Sequence, residues 1–241
     1  MAIDVSLTEL LDAGAHFGHQ TKRWNPKMAP YIYGSQDGVH VFDLTKTKEA
    51  LLTALEFLTK AKKEGKVILL VGCKKQTKDK LRQIGEETNT FFVSERWFGG
   101  TLTNFSQIKV SLKKLTDMKA KMTGGEYSTF TKKERLLIDR EIGRLDRFLG
   151  GLEGIESVPD VIFIVDTHKE AGVVKEARRM KITTVGIVDS NADPTLVDYP
   201  IPMNDDAVKA LDYVLDLVKK ALTVSPAKEA KPKEKKNESD S

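Results

Sequence analysis

The sequence predicts an α/β protein with a doubly wound parallel sheet, helices on both faces of that sheet, and an inserted antiparallel coiled-coil helical hairpin. Short apolar runs alternate with stretches of helical period along most of the chain, which is the pattern of strand–helix units in a parallel sheet. Residues 101–152 break this alternation with apolar residues at coiled-coil spacing. We therefore expect a discontinuous α/β domain at 1–100 and 153–225, the basic hairpin at 101–152, and a disordered charged tail at 226–241.

The N-terminal segment begins with a helix signal. Ser6 and Glu9 match a capping box, in which each side chain satisfies a free backbone N–H group of the first turn. This motif predicts a short helix over 6–13. Glycine and proline residues then predict an irregular loop over 14–30, rich in aromatic residues, histidine and cations.

A hairpin and a series of strand–helix units follow. Residues 31–33 and 39–42 have strand character and flank a five-residue loop at 34–38, so they predict a β-hairpin. Continuous apolar runs are typical of parallel strands buried on both faces. We predict further strands at 67–71, 91–93, 161–165, 185–188 and 199–203, the last at a sheet edge, and helices at 45–64, 74–87, 168–180 and 205–222.

Two arms of apolar residues at three- and four-residue spacing predict the inserted hairpin. Gly124 and Gly125 end the first arm, and Thr131 with Glu134 forms a capping box that starts the second. Arms of about 20 residues would each be roughly 30 Å long. The seam residues are Phe105, Ile108, Leu112, Leu115 and Met122 in the first arm and Ile138, Ile142, Leu145, Leu149 and Leu152 in the second.

Cysteine content and hydropathy restrict the compartment. The chain has 241 residues and a single cysteine, Cys73, so it has neither an intramolecular disulfide nor a cysteine-based zinc site. The opening residues lack a basic segment followed by an apolar one, and no window approaches 18 uncharged apolar residues. These features predict a cytoplasmic protein with no membrane partner.

Positive charge is concentrated in two territories. Residues 20–82 carry 14 Lys and Arg against 6 Asp and Glu, and residues 101–150 carry 11 against 6, whereas the whole chain has a net charge of only +4. Concentrated cations are expected where a protein neutralises the phosphates of a nucleic acid. Lysine-rich helical faces also occur on ordinary soluble proteins, so charge alone leaves both interpretations open.

Two predicted strand ends carry residues that could bind an anion or a metal ion. Lys74 and Lys75 follow the strand at 67–71, and a helix starting there would direct its N-terminus at a phosphate. The glycine motifs of nucleotide-binding enzymes are absent, and a nucleic-acid phosphate would satisfy both lysines equally well. Asp189 and Asp193 could bind Mg²⁺, but Asp is also a common cap and turn residue, and we favour that structural interpretation.

Three histidines raise the hypothesis of a zinc site near the hairpin of residues 31–42. His16, His19 and His40 could meet there, but their spacing does not fit one helix face and no acidic neighbour in sequence would orient the rings. Capping, stacking and hydrogen bonding are the favoured roles. Cys73 is expected to act as a small apolar residue rather than a nucleophile. No catalytic residue, metal or cofactor is therefore assigned.

Two short segments combine cations with flat aromatic rings, and they contain both tryptophans of the chain. Arg and Trp side chains can stack on unpaired bases, while glycines let backbone N–H groups approach phosphates. The alternative for Trp97 is packing that anchors a turn. The candidate RNA-binding residues are Lys22, Arg23, Trp24, Asn25 and Lys27 in the first segment and Arg96, Trp97, Gly99 and Gly100 in the second.

The hairpin adds cations that lie off its apolar seam. Lys109, Arg140 and Arg144 are the candidates for RNA contact there, and Lys74 and Lys75 are added from the helix-terminus argument. The alternative is a solvated coiled-coil exterior that binds nothing.

Four stretches resemble the bacterial small-subunit ribosomal proteins of the S-two family. They span nearly everything before the tail, in the family's order. The stretches are LLDAGAHFGHQTKRWNPKMAPYIYGSQDGVHVFDLTKT at 10–47, RWFGGTLTNF at 96–105, PDVIFIVDTHKEAGVVKEARRMKI at 159–182 and GIVDSNADPTLVDYPIPMNDDAVKA at 186–210.

The resemblance implies a Rossmann-like, three-layer α/β domain with a protruding coiled-coil hairpin. It further implies a structural, non-enzymatic role in the small (30S) subunit, contact with 16S ribosomal RNA and neighbouring ribosomal proteins, and help in docking ribosomal protein S-one. No homo-oligomer is expected. The motif positions that it marks for RNA contact or positioning are Lys22, Arg23, Trp24, Asn25, Arg96, Trp97, Gly99, Gly100, Thr101 and Asn104.

Two other classes of function compete with this one. The first is an enzyme that binds a nucleotide or sugar phosphate at the strand ends, for which Lys74, Lys75, Asp189 and Asp193 are the relevant residues. The absence of a recognisable nucleophile–base pair argues against it. The second is a scaffold whose coiled coil binds another helix, which is compatible with membership of a ribosome.

Overall fold

A computed structural model describes residues 3–223, so the tail predicted at 226–241 lies outside the described residues. Within the described range the α-helices are α1 (Leu7–Asp12), α2 (Leu44–Lys63), α3 (Lys78–Thr88), α4 (Phe105–Thr123), α5 (Lys132–Leu149), α6 (Ala171–Met180) and α7 (Val208–Leu222). The strands are β1 (Phe17–Gln20), β2 (Ile32–Gln36), β3 (Val39–Phe42), β4 (Ile68–Val71), β5 (Phe91–Val93), β6 (Val161–Ile164), β7 (Thr183–Val188) and β8 (Tyr199–Pro202).

The central element is a parallel five-stranded sheet in the order β5-β4-β6-β7-β8. Each neighbouring pair is parallel. Successive residues of β4 alternate between two hydrophobic cores, with Leu70 in the first and Leu69 in the second. Phe163 and Ile162 of β6 divide in the same way. A sheet buried on both faces explains why its strands read as continuous apolar runs rather than alternating ones.

Helices cover both faces of this sheet. The first core brings residues of α1, α2, α3 and α7 against the sheet, and the second brings α6 and the sheet-proximal ends of α4 and α5. Leu112, Leu115 and Leu149 of the hairpin helices are buried in the second core beside Val174 of α6. The predicted mixed α/β architecture with a parallel sheet is confirmed.

The free edges of the sheet are closed in different ways. β8 is an edge strand, as predicted, and it contains Pro200 and Pro202. At the other edge, a turn at Gly150–Leu152 packs against β5. A Cβ on Gly151 would lie 2.2 Å from the carbonyl oxygen of Phe92, so only glycine permits this close approach.

A second, three-stranded antiparallel sheet precedes the main one, in the order β1-β3-β2. The predicted hairpin is confirmed, but its loop is two residues rather than five, since Asp37 and Gly38 both adopt positive φ (50° and 77°), as a tight type I′ turn requires. The prediction of an irregular loop over 14–30 was wrong at residues 17–20, because these form β1, which pairs with β3.

Several predicted helices begin later than their sequence pattern suggests. Helix α3 begins at Lys78 because residues 75–77 form a turn, and α7 begins at Val208. At α1 only half of the capping box forms. The Ser6 hydroxyl accepts the Glu9 N–H at 3.3 Å, but the Ser6 N–H donates to the hydroxyl of Tyr213 at 3.0 Å instead of to Glu9.

Helices α4 and α5 contact each other and are joined by a turn at Glu126–Thr129. Both bonds of the capping box between Thr131 and Glu134 are present, as predicted. Four of the predicted seam residues are buried, whereas Met122 near the end of α4 is 40% exposed; the buried residues are Leu112, Leu115, Leu149 and Leu152. No helix in residues 3–223 combines the length and apolarity needed to cross a lipid bilayer.

Candidate nucleic-acid interface

The first candidate segment presents two cations and one aromatic ring to solvent. Lys22 and Arg23 lie on a single 3-10 turn at Thr21–Arg23, and both are exposed. Trp24 follows with 36% of its surface exposed, and its ring lies 4.8 Å from that of His40. A half-buried ring with a fixed orientation retains a face on which a base could stack.

The rest of this segment attaches it to the main sheet. The Asn25 N–H donates to the carbonyl oxygen of Ser190 at 2.7 Å, and its side chain accepts the N–H of Lys27 at 3.0 Å. The ammonium of Lys27 lies 2.6 Å from the carboxylate of Asp193. Asn25 and Lys27 therefore hold the conformation of the segment.

The second candidate segment is organised by a carboxylate that the sequence interpretation did not single out. Glu176 of α6 accepts hydrogen bonds from the indole of Trp97 (3.0 Å) and from the backbone N–H groups of Gly100, Leu102 and Thr103 (2.9, 3.0 and 3.2 Å). The Thr103 hydroxyl also donates to it at 3.2 Å. Burial opposes ionisation of Glu176, but these donors outweigh it and lower the pKa of the carboxyl.

The remaining residues of this segment divide into inward and outward sets. Thr101 is 4% exposed, and its hydroxyl donates to the carbonyl oxygen of Phe98 at 2.6 Å. Arg96, Gly99 and Asn104 are exposed. Trp97 occupies the packing position that was the alternative to base stacking. Its indole N–H donates to Glu176, and its ring packs against the second core.

The hairpin cations differ in how far they are already engaged. Lys109 donates to the carbonyl oxygen of Glu156 at 3.0 Å, and Arg144 makes two hydrogen bonds to Glu141 on its own helix. Arg140 is exposed and has no carboxylate within ion-pairing distance in the described part of the chain.

Lys74 occupies the strand ends and does not face solvent. Its ammonium lies 2.9 Å from Asp166, 2.7 Å from Asp205 and 2.8 Å from Asp206, and its side chain is 10% exposed. Burial lowers the pKa of Lys74, but the three carboxylates outweigh that effect and raise it. The prediction that a helix begins at Lys74 is wrong, because α3 begins at Lys78. The ammonium of Lys74 contacts carboxylates of the protein itself. The next residue, Lys75, is exposed.

The carboxylates around Lys74 form a cluster with His19 in which Asp166, Asp189 and Asp205 are buried and Asp206 is exposed. Burial, with Asp189 and Asp166 nearby, raises the pKa of Asp205 to about 7. The hydrogen bond from His19 to Asp189, at 3.1 Å, raises the pKa of the imidazole. At this edge of the sheet the ammonium of Lys74 is therefore engaged by carboxylates of the protein and is not free to bind a phosphate.

The structure does not bring the three histidines into one ligand set. Among residues 3–223, the ligand atoms of His19, Asp205 and Asp206 lie within 4.8 Å of one another and could hold a metal ion. Both carboxylates of that group already contact Lys74. His40 lies beside Trp24 instead.

The two other strand-end residues have structural surroundings. The Asp193 side chain accepts the N–H of Thr195 at 3.0 Å and so caps a short 3-10 turn, as the favoured interpretation predicted. Burial raises the pKa of the Cys73 thiol to about 12, so at neutral pH it is not a thiolate.

The importance of Glu176 was missed, although the sequence carries a signal for it. In α6 the buried residues Val173, Val174 and Ala177 form the apolar stripe, and position 176 lies beside that stripe at a spacing of three from Val173. A carboxylate beside an apolar stripe needs donors from another segment, and a Gly-Gly loop is a ready source of backbone N–H groups.

Fold and surface together define an α/β protein whose strand-end Lys74 is engaged by its own carboxylates and whose exposed candidate cations lie on loops and on helices α4 and α5. The chain belongs to the family described as Ribosomal protein S2, whose model matches residues 10–225. Members of this family are structural proteins of the small ribosomal subunit, not enzymes, and they act in translation on the cytoplasmic ribosome.

Curated relatives agree with this assignment. The chain is 45% identical to the small ribosomal subunit protein uS2 of Brucella melitensis biotype 1 over 218 residues, which are 90% of this chain and 85% of the relative. It is 45% identical to the protein of the same name from Brucella anthropi over the same shares. The protein of that name from Coprothermobacter proteolyticus is 43% identical over 90% of this chain and 81% of its own length.

Proposed function

We propose that this chain performs its structural role by binding 16S ribosomal RNA through its two cation–aromatic segments and its hairpin. The observation that carries the proposal is a set of exposed cations without an ion-pair partner among residues 3–223: Lys22, Arg23, Lys75, Arg96 and Arg140. A cation without an internal ion pair can neutralise a phosphate without breaking a contact in the protein, and condensed counterions of the RNA are released when it does so.

The candidate residues divide into contact and positioning roles. Contact is assigned to the exposed set, in which Lys109 and Arg144 also bond to Glu156 and Glu141: Lys22, Arg23, Trp24, Lys75, Arg96, Gly99, Asn104, Lys109, Arg140 and Arg144. Positioning is assigned to residues whose polar groups are engaged within the protein: Asn25, Lys27, Lys74, Trp97, Gly100 and Thr101.

We also propose the finer architecture and the remaining partners from the family resemblance. The α/β part, 1–100 with 153–225, is assigned a Rossmann-like domain, and 101–152 a coiled-coil hairpin. Exposed apolar residues on the hairpin, Phe130 at 43% and Leu137 at 55%, support contact with neighbouring ribosomal proteins. Help in docking ribosomal protein S-one rests on the resemblance alone. Its test compares binding of S-one to small subunits with and without this chain.

The RNA proposal is tested by rebinding variants to small subunits depleted of this protein, over a series of salt concentrations. Arg23→Ala and Arg96→Ala are each expected to weaken binding and to lower the slope of log affinity against log salt by about one. The matched control is Arg82→Ala, an exposed arginine that is paired with Glu86 on its own helix, α3. Equal binding by both variants and wild type would overturn the assignment. Sedimentation of a lysate with and without ribonuclease checks that the bound form depends on RNA.

A further inference from the structure

The loop at residues 96–104 is held by one side chain from a distant part of the sequence. Glu176 accepts the N–H groups of Gly100, Leu102 and Thr103, and it also accepts the Trp97 indole. The three backbone donors lie in a segment without regular secondary structure, so no helix or sheet neighbour supplies them with acceptors. One carboxylate therefore satisfies three backbone donors of the loop at once.

We infer that Glu176 is the positioning residue of the RNA contact made by this loop, an inference that rests on the proposed function. The carboxylate draws Trp97, Gly100 and Leu102 inward, and the same conformation leaves Arg96 and Gly99 facing solvent. Phe98 is 37% exposed and packs edge-on against Phe148 of α5 at 5.3 Å, which fixes the loop against the hairpin.

Removal of the Glu176 charge has opposite expected effects on RNA affinity for a simple electrostatic role and for a positioning role. A carboxylate near bound RNA repels phosphates, so its neutralisation alone would strengthen binding. A positioning role predicts the opposite. Glutamine has one acceptor oxygen where glutamate has two, and its NH₂ group is itself a donor facing backbone N–H donors. Glu176→Gln therefore removes part of the hydrogen-bond set while it removes a repulsive charge.

The experiment measures the affinity of variants for small subunits depleted of this protein. Glu176→Gln is expected to bind about 3- to 10-fold more weakly than wild type, from the loss of one to two net hydrogen bonds that order the loop. The matched control is Glu156→Gln, an exposed carboxylate near the hairpin base, which is expected to bind equally well or slightly better. Equal or tighter binding by Glu176→Gln would overturn the inference.

A double-mutant cycle distinguishes positioning from general destabilisation. If Glu176 acts through the loop, Glu176→Gln has little further effect once Arg96→Ala is present. Full additivity of the two losses would overturn the positioning role. If Arg96→Ala and Arg23→Ala both bind as tightly as wild type, the proposed RNA contact itself fails, and this inference fails with it. If those two variants weaken binding and Glu176→Gln does not, only the inference fails.

A milder variant tests the same contact in case Glu176→Gln does not fold. Trp97→Phe removes one donor to Glu176 and keeps a ring in the second core, so about 2-fold weaker binding is expected. Amide hydrogen exchange in the variants should be faster at Gly100, Leu102 and Thr103 and unchanged in β6. Unchanged exchange at those three amides in Glu176→Gln would contradict the role of its carboxylate.

Discussion

Lys74 and Glu176 are both charged side chains removed from full contact with solvent, but they are stabilised in different ways. Lys74 is one cation that contacts three carboxylates, and Glu176 is one carboxylate that accepts five hydrogen bonds and forms no ion pair among residues 3–223. The three partners of Lys74 come from the end of β6 and the connection between β8 and α7, so its bonds join separate parts of the fold. The donors to Glu176 come from one loop. The first charge should therefore govern global stability and the second a local conformation.

Substitution of Lys74 is expected to have the largest effect on stability. Lys74→Met leaves three neighbouring carboxylates without their cation, and removal of one partner from a buried ionic group costs about 3–5 kcal/mol. Urea unfolding followed by far-ultraviolet circular dichroism measures the loss. Lys75→Ala, at the exposed neighbouring position, is the control and should change the free energy of unfolding by less than about 0.5 kcal/mol. Equal effects of the two substitutions would refute the comparison.

Removal of the other charge should cost less in global stability. Glu176→Ala leaves donors unsatisfied, but Thr103 is exposed and water can reach part of this loop, so we expect a loss of about 1–3 kcal/mol in the free energy of unfolding. The same urea titration measures it. A loss larger than that of Lys74→Met would show that the loop contributes to global folding, and it would reverse the comparison.

The conformation of the loop at residues 96–104 should depend on acid pH through Glu176. Because the folded-state pKa of Glu176 lies below the ordinary value of 4.5, its contribution to stability is fully present above pH 4.5 and is lost as the pH falls through the lowered folded value. Fluorescence of Trp97 in a Trp24→Phe background should report a transition in that window. Glu176→Gln lacks the titrating group, so a transition of the same size in that variant would assign the signal to other carboxyls.

The smallest effect is expected at an exposed ion pair. Lys27 and Asp193 lie 2.6 Å apart, but 55% of the lysine side chain is exposed, and such pairs contribute about 0–1 kcal/mol. Lys27→Met should therefore lower the urea midpoint only slightly, and high salt should reduce the difference from wild type. A loss comparable to that of Lys74→Met would show that distance, rather than burial, determines these energies.

Much of the fold could be predicted because burial leaves a recognisable pattern of apolar residues in the sequence. Strand β4 reads as an uninterrupted apolar run since both of its faces are covered, and the capping box at Thr131 and Glu134 marks the start of α5. Strand β1 carries no such pattern. It has mixed polarity, and its pairing with β3 depends on contacts between segments about 20 residues apart.

The candidate site was harder to predict because sequence gives the charge of a side chain but not its partners. Lys74 and Lys75 look alike in sequence, yet one is buried among carboxylates and the other is exposed. The partners of Lys74 lie 92 to 132 positions further along the chain, and only the fold brings them together. Trp97 likewise could be placed only once Glu176 was seen beside it.

The two prolines of β8 have a consequence for the protein before it joins a subunit. The Met203 N–H donates to Val188 of the neighbouring strand, so positions 200 and 202 direct their backbone nitrogens away from the sheet. Proline has no N–H to offer, and at those two positions the outer edge cannot donate to an incoming strand. A newly made chain therefore exposes a poor template for edge-to-edge aggregation before it is assembled.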